Sequence, residues 1–329
     1  MTTPIPAPST AGSGAPTPTP APVEATPRTD PGAPAPARRR ITPGKIIAWA
    51  FLILVILVTL FPFYWMLRTA LSTNPGLRAD PTSWLPPEFT WGAFERVLGM
   101  QSTEEALAEG GSGTSLDFWR YLFNSVVVAT LVTVCQVLFS AMAAYAFSRL
   151  KWPGRDKVFA LFLAGLMVPA IFTLLPNFVL IKELGLVDNL LAIALPTMFM
   201  TPFAVFFLRQ FFMNVPAEIE EAALLDGVSK VGVFFRVILP MSAAPMATLG
   251  ILTYITAWND YFWPLMVSYT DASRVLTVAL GVFRSQSPQT GTDWAGLMAA
   301  TLIAALPMML LFAAFAKRIV NSIGFSGIK

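Results

Sequence analysis

The sequence has no histidine and a single cysteine, Cys135, among 329 residues, and only 12% of it is charged. One cysteine cannot close a disulfide within the chain, and a metal site built from Cys and His is excluded. Cys135 lies inside an apolar run and reads as a small buried helix residue rather than a reactive thiol. Without histidine, and with few acids in its apolar stretches, the chain lacks the line of ionisable groups that relays protons through a bilayer. The only Gly-Lys pair, Gly44–Lys45, has no phosphate-cradling loop before it, so the GxxxxGK[ST] nucleotide motif is missing as well. A net charge of +3 gives no footing for nucleic acid, and no nucleic-acid partner is expected.

What the chain has instead is apolar length. Hydrophobic residues make up 55% of it, and its charged fraction is about half that of an ordinary soluble domain. Six apolar segments stand out, at 46–67, 121–147, 157–181, 190–212, 241–267 and 294–316. Each is long enough, at about 1.5 Å per helical residue, to cross a hydrocarbon core of about 30 Å. The fold class expected is an all-α integral membrane protein with six transmembrane helices.

Residues 1–40 are Pro-, Ala- and Thr-rich and hold almost no large apolar side chain. Such a stretch does not bury enough surface to offset its ordering entropy, so a disordered tail is expected there. No apolar core follows a basic start, so a secretory signal is not expected. The first transmembrane helix falls within 41–70, an outer loop within 71–120, the main membrane domain within 121–318 and a short tail at 319–329. With the N-terminus taken as cytoplasmic, fifteen of the 22 Lys and Arg flank the inner side. That bias puts both termini on the cytoplasmic side of a membrane that the chain crosses repeatedly. The outer loop carries seven acids; Glu104, Glu105 and Glu109 read as solvated, and "PTSWLPPEFTWGAFERVL" as a turn into a short amphipathic helix. Prolines at 62, 169, 176, 196, 202, 264 and 307 interrupt the spans and free backbone carbonyls, a pattern frequent in transporters.

Between the fourth and fifth apolar segments lies "PAEIEEAALLDGVSKVGVFFRVILP", Pro216–Pro240, within an inner loop at 213–240. Pro216 suits a first helical position and the acids at 218, 220 and 221 suit the positive end of the helix dipole. Gly227 permits a left-handed stop. At 100° per residue Ile219, Ala222, Ala223 and Asp226 share a face, and the two alanines leave it shallow enough for another backbone to approach. A second stretch, Val231–Ile238, is apolar enough to lean on the membrane domain. The segment is therefore either a docking knob joined to a span or an interfacial hairpin that merely shortens a loop.

The spacing carries a resemblance. Glu221-Ala222-Ala223, Gly227, Val237 and Leu239-Pro240 match EAA-x3-G-x9-I-x-L-P, with Val237 in place of Ile. That pattern resembles the cytoplasmic signature of the membrane subunits of binding-protein-dependent ABC importers. From about residue 46 onward the chain is similar to the maltose-permease G-type branch of carbohydrate importers, through "AAYAFSRLKWPGR", "FFLRQFFMNVPAEIEEAALLDG", "WNDYFWPL" and "RIVNSIGFSGIK". Some of these stretches also resemble glycerol-3-phosphate permeases. The resemblance implies a type I ABC importer transmembrane domain, with residues 121–318 as its core. It implies a sister permease subunit, two ATP-binding cassette ATPase subunits that bind ATP and Mg, and an extracytoplasmic solute-binding protein. It also implies a sugar as substrate, no cofactor in this chain, no catalytic or metal residue, and no ATPase site of its own. Glu221, Ala222, Ala223, Gly227, Val237, Leu239 and Pro240 become the ATPase-coupling residues, sensitive to bulk at Ala222, Ala223 and Gly227.

Few polar residues interrupt the spans. Gln136, Asn259 and Asp260 are candidates for the solute pathway, with the aromatics of "WNDYFW" as stacking faces. The alternative for Asn259 and Asp260 is an interhelix hydrogen bond beside an interfacial aromatic belt, and for Gln136 it is helix-to-helix glue. Asn124-Ser125 reads as a cap or interface contact. Two other functions remain open: a stand-alone secondary carrier, for which only Asp260 offers intramembrane charge, and a membrane-embedded enzyme, for which no cluster of acids or histidines is present.

Overall fold

A computed structural model describes residues 43–112, 116–285 and 291–324, with side chains as far as residue 315. The stretch expected to be disordered, 1–40, and residues 325–329 of the expected C-terminal tail lie outside the described residues. All regular structure described is helical, apart from one isolated antiparallel bridge between Ser72 and Phe89. Chain contacts divide the protein after Ile56. The first unit is described from Pro43 to Ile56, the N-terminal half of helix α1 (Pro43–Ala70), with every side chain exposed. The second unit holds the remaining elements.

Its outer segment contains α2 (Asn74–Ala79), α3 (Gly92–Val97) and α4 (Thr103–Ala108). The short amphipathic helix expected here is α3, which buries Ala93 and Val97. Then comes α5 (Phe118–Ser148), unbroken over 31 residues. The third apolar segment does not run straight. Pro169 has no N–H, and Val168 before it is pushed to an extended conformation (φ −82°, ψ 113°). So α6 (Arg155–Ala164), with a 3-10 turn at Gly165–Met167, meets α7 (Ala170–Glu183) at 99°. The fourth segment is divided into α8 (Leu190–Ala194) and α9 (Pro202–Met213), with Pro196 between them and Pro202 opening α9.

After α9 come α10 (Ala217–Leu225), α11 (Lys230–Val233), a π-helical turn at Phe234–Ile238, and α12 (Leu239–Met241). The chain bends by 78° at Ser242 into α13 (Ala243–Asn259). Asp260, extended at ψ 132°, separates α13 from α14 (Phe262–Val267). An apolar helix not anticipated from the sequence, α15 (Leu276–Ser285), precedes α16 (Trp294–Gly324). Among the described residues three helices, α1, α5 and α16, are long and apolar enough to cross a bilayer unbroken, and the count rises to five if each bent pair is one span. Of the six segments expected, the one at 190–212 falls short. Its longer piece, α9, has 12 residues, about 18 Å of helix.

Hydrogen bonds hold the broken pieces. Asn124 donates to the carbonyls of Ala272 and Arg274 (3.0 and 2.8 Å), and Ser125 Oγ accepts the Leu276 N–H (2.8 Å). The pair thus fastens the start of α15, the interface contact that was one of its two sequence readings. Asp188 reaches across from the α7–α8 turn and accepts the N–H groups of Tyr269 and Thr270 (both 2.9 Å) and the hydroxyls of Thr270 and Ser273. The outer segment is tied to α16 by Asp293, only 1% exposed, which pairs with Arg96 at 3.0 Å. Asp293 also accepts from Asn74 (2.8 Å), from the Ser112 N–H (3.0 Å) and from the Gly296 N–H (2.8 Å) in the first turn of α16. Glu109, which reads as solvated in the sequence, is instead half-buried and bonded to Thr90 and Gln101, with Arg96 at 3.6 Å. Cys135 is half-buried rather than buried.

Two predictions follow from these fastenings. Removing one partner of a buried ion pair leaves the other uncompensated, typically at about 3–5 kcal/mol. Arg96→Met should therefore lower the thermal midpoint in detergent markedly, and Arg96→Met with Asp293→Leu should recover part of the loss. At Asp188 burial pushes the carboxyl upward, but the bonds from Ser273, Thr270 and Tyr269 outweigh it and hold it below its usual range. Its stabilisation is then complete above the unfolded value of about 3.9 and is lost as pH falls below that toward the depressed folded value. Asp188→Asn keeps a side chain that tolerates the left-handed backbone there (φ 65°). It should flatten the fall in thermal midpoint below about pH 4.

Candidate functional site

The segment between α9 and α13 is a protruding helix anchored by its base. α10 starts at Ala217 after Pro216, carries Glu218 and Glu220 in its first turn, and buries no residue. It ends in a left-handed stop. Gly227 has φ +82°, its N–H reaches the Leu224 carbonyl (3.1 Å), and the Val228 N–H reaches that of Ala223 (3.0 Å). Ser229 then caps α11 by accepting the Gly232 N–H at 3.2 Å. Beyond it Val233, Phe234 and Ile238 are buried with Phe212 and Leu208 of α9 and Phe159 of α6. The second stretch does lean on the membrane domain, as expected.

The structure separates the two alanines that the helical wheel joined. Ala223 is half-buried and packs with Val228 against that same cluster, whereas Ala222 and Glu221 are exposed. Of the face expected for docking, Ala223 therefore belongs to the protein's own interior. What the outer side of α10 offers is Glu221, Ala222 and Leu225, the last 89% exposed. Leu225 went unremarked in the sequence because its role is visible only once α10 is seen to have no covering neighbour. Val237 lies in the π-helical turn, half-buried like Leu239, and Pro240 is exposed. The fully buried member of that run is Ile238.

A polar clamp fixes this segment to the end of α5. The Tyr145 hydroxyl bonds to the Lys230 carbonyl (3.1 Å) and to Glu220 (3.3 Å). Arg149 donates to the carbonyls of Phe212 and Val215, and its guanidinium lies 3.8 Å from Glu220. Two side chains one turn apart on α5 thus hold the end of α9, the first turn of α10 and the start of α11. Sequence patterning gave no sign of this, since Tyr145 and Arg149 lie 75 and 71 positions before Glu220.

The three candidate pathway residues lie in two cavities. Gln136 and Asp260 line one of about 290 Å³ between α5, α9 and α13, together with Thr253 and Thr256. Asn259 lines another of about 570 Å³ between α13, α15 and α16. Gln136 donates to Thr201 Oγ1 at 2.8 Å, and Thr201 in turn caps α9 through the Ala204 N–H, so the glue reading of Gln136 holds. Asn259 bonds to the Ile255 carbonyl of its own helix, and the Asp260 carbonyl accepts from Thr277. Of the aromatic run, Trp258 and Trp263 are buried; Trp263 donates to the Ala192 and Ile193 carbonyls, whereas Phe262 is exposed.

Three unbroken apolar helices, two bent pairs and an exposed helix clamped at its base describe a membrane protein with several spans. Residues 136–324, more than half of the sequence, match the family described as binding-protein-dependent transport system inner membrane component, and the chain belongs to that family. A probable ABC transporter permease of Bacillus subtilis, YurM, is 32% identical over 89% of this chain and 91% of its own length. The trehalose/maltose transport system permease MalG of Thermococcus litoralis is 30% identical, covering 84% of this chain and 94% of that one. The sn-glycerol-3-phosphate transport system permease UgpE of Pectobacterium atrosepticum is 32% identical over 80% and 90%. In fold the chain is similar to a chain of a crystal structure of a bacterial ABC transporter involved in the import of the acidic polysaccharide alginate. The TM-score is 0.71 at 20% identity, covering 87% of this chain and 99% of that one.

The clamp can be tested directly. Arg149→Leu frees two carbonyls and one carboxylate near α10, so amides of Ala222–Val228 should exchange with deuterium about tenfold faster or more. Amides of α16 should be unaffected, because the described bonds of Arg149 go to α9, to α10 and to the turn between them.

Proposed function

We propose that the chain is the permease subunit of an ATP-driven importer of a sugar, forming the translocation pathway with a sister permease. ATP and Mg are held by two ATPase subunits on the cytoplasmic side, and an extracytoplasmic binding protein delivers the solute. The 329 residues contain no nucleotide-binding motif to supply the energy in cis. In this reading residues 121–318 are the transport core, α1 and the 71–120 segment are additions before it, and both termini are cytoplasmic. The coupling elements are Glu221, Ala222, Gly227 and, newly, Leu225, with Ala223, Val237, Leu239 and Pro240 joining them to the membrane helices. Membership of the binding-protein-dependent family supports the machine. The observation that carries the coupling role is a helix with no buried residue whose base is nonetheless clamped to α5 and α9.

The energetics suit that arrangement. Switching a two-state gate from 1:99 to 99:1 takes about 5.5 kcal/mol of differential binding. A nine-residue helix does not generate this, but a clamped one transmits it. Relatives for trehalose/maltose and for glycerol 3-phosphate are about equally similar, so identity alone favours neither as substrate class.

The test exploits the open space at Gly227, where an added Cβ would meet no atom within 4 Å. Gly227→Ala and Gly227→Leu share a backbone cost of about 1–2 kcal/mol in the left-handed conformation and differ in bulk alone. ATPase co-purification and ATP-driven uptake should be largely retained in Gly227→Ala and reduced at least about tenfold in Gly227→Leu and in Ala222→Arg. Equal behaviour of Gly227→Ala and Gly227→Leu, with normal uptake in Ala222→Arg, would remove the coupling role.

A further inference from the structure

We infer that the cavity between α5, α9 and α13 is a solute subsite in this subunit, built for an uncharged polyhydroxylated molecule and against an anion. The inference rests on the permease reading and narrows its substrate class. Thr253, Thr256 and Asp260 stand at positions i, i+3 and i+7 of one helical face. All three line the cavity, as does Gln136 on the facing helix.

The bonding state of these groups matters more than their number. Thr253 is 8% exposed, and its hydroxyl takes no hydrogen bond among the described residues. A hydroxyl in a cavity wall without a protein partner is free both to donate to and to accept from a polar occupant. Thr256 Oγ1 donates to the Leu252 carbonyl at 2.9 Å and is left with acceptor capacity. Gln136 gives one N–H to Thr201, which leaves its second N–H to donate and its carbonyl oxygen to accept. Asp260 takes the N–H groups of Tyr261 and Trp263 and keeps unfilled lone pairs. One donor-acceptor, three acceptors and the second N–H of Gln136 therefore belong to residues that line the space. That set matches hydroxyl groups, each of which must donate as well as accept.

Charge sharpens the choice. The lining includes one carboxylate and no Lys or Arg. A phosphate or uronate placed here would meet a like charge with no counter-ion in the lining, an arrangement that rejects it. A neutral sugar hydroxyl meets the same carboxylate as a strong acceptor. Of the two relatives' substrate types, the cavity fits the uncharged one.

The experiment uses the whole transporter with its binding protein in proteoliposomes, and radiolabelled maltose, trehalose, sn-glycerol 3-phosphate and glucuronate as probes. ATP-dependent uptake of a neutral sugar without uptake of either anion is the expected result. Transport of an anion would overturn the inference and leave the permease reading intact. Transport of none of the four would count against the sugar-importer reading itself. For the sugar carried, Thr253→Val should raise the half-saturating concentration about three- to tenfold, the effect of losing one neutral hydrogen bond. Thr253→Ser, which keeps the hydroxyl, should restore it. Identical half-saturation in Thr253→Val, Thr253→Ser and the parent would overturn the subsite.

Discussion

Backbone polar groups exposed inside a bilayer find no water, so every break in a membrane helix has to be closed by another part of the protein. In this chain α5 does most of the closing. It is unbroken over 31 residues, and several of its polar side chains sit opposite a break in a neighbour. Asn124 and Ser125 serve the start of α15, Gln136 serves the start of α9 through Thr201, and Tyr145 and Arg149 serve the end of α9 and the start of α11. Were α5 purely apolar, the bends at α6–α7 and α12–α13 would remain, but the short helices beside it would have nothing to fix their ends.

This arrangement explains which parts were legible in the sequence. Membrane character, the all-helical class and the two long later helices follow from apolar length, which is a local property. Asn124-Ser125 as an interface contact and Gln136 as glue were legible too, since a polar residue in lipid must find a partner. Where the spans break was less so. Pro169, Pro196 and Pro202 signal interruption, but a proline inside a helix can also be absorbed, as Pro62, Pro176 and Pro307 are in α1, α7 and α16. The difference lies in whether a neighbour supplies the missing bonds, and that is tertiary information. The helical wheel likewise joined Ala222 to Ala223, whereas packing against α6 and α9 assigns only Ala222 to the outside.

The outer segment shows the same limit in a charged form. Glu109 beside "GGSG" looks solvated because glycine and serine favour water-exposed loops. Its half-buried place depends on Arg96, which is buried because Asp293 is, and Asp293 follows Arg96 by 197 positions. Composition predicts the exposure of Glu104 and Glu105 correctly and that of Glu109 wrongly. The acids and the arginine form a small polar core that fixes α2, α3 and α4 against the first turn of α16, work that apolar contacts perform elsewhere in the chain.

One helix joins the two features of functional interest. α13 receives the bend at Ser242 from the α11–α12 segment at one end and carries Thr253, Thr256 and Asp260 toward the other. Ala243 and Thr253 are ten residues apart, about 15 Å of continuous helix. Ile238, fully buried just before the bend, fixes the near end, and the close packing of α13 on α5 keeps the far end in register with Gln136. The proposed coupling role thus falls on a segment that is clamped to the end of α5 and continues through the bend at Ser242 into α13. Gln136 on α5 and Thr253 on α13 line the same cavity, so under the proposed function a shift of α13 along α5 changes its width.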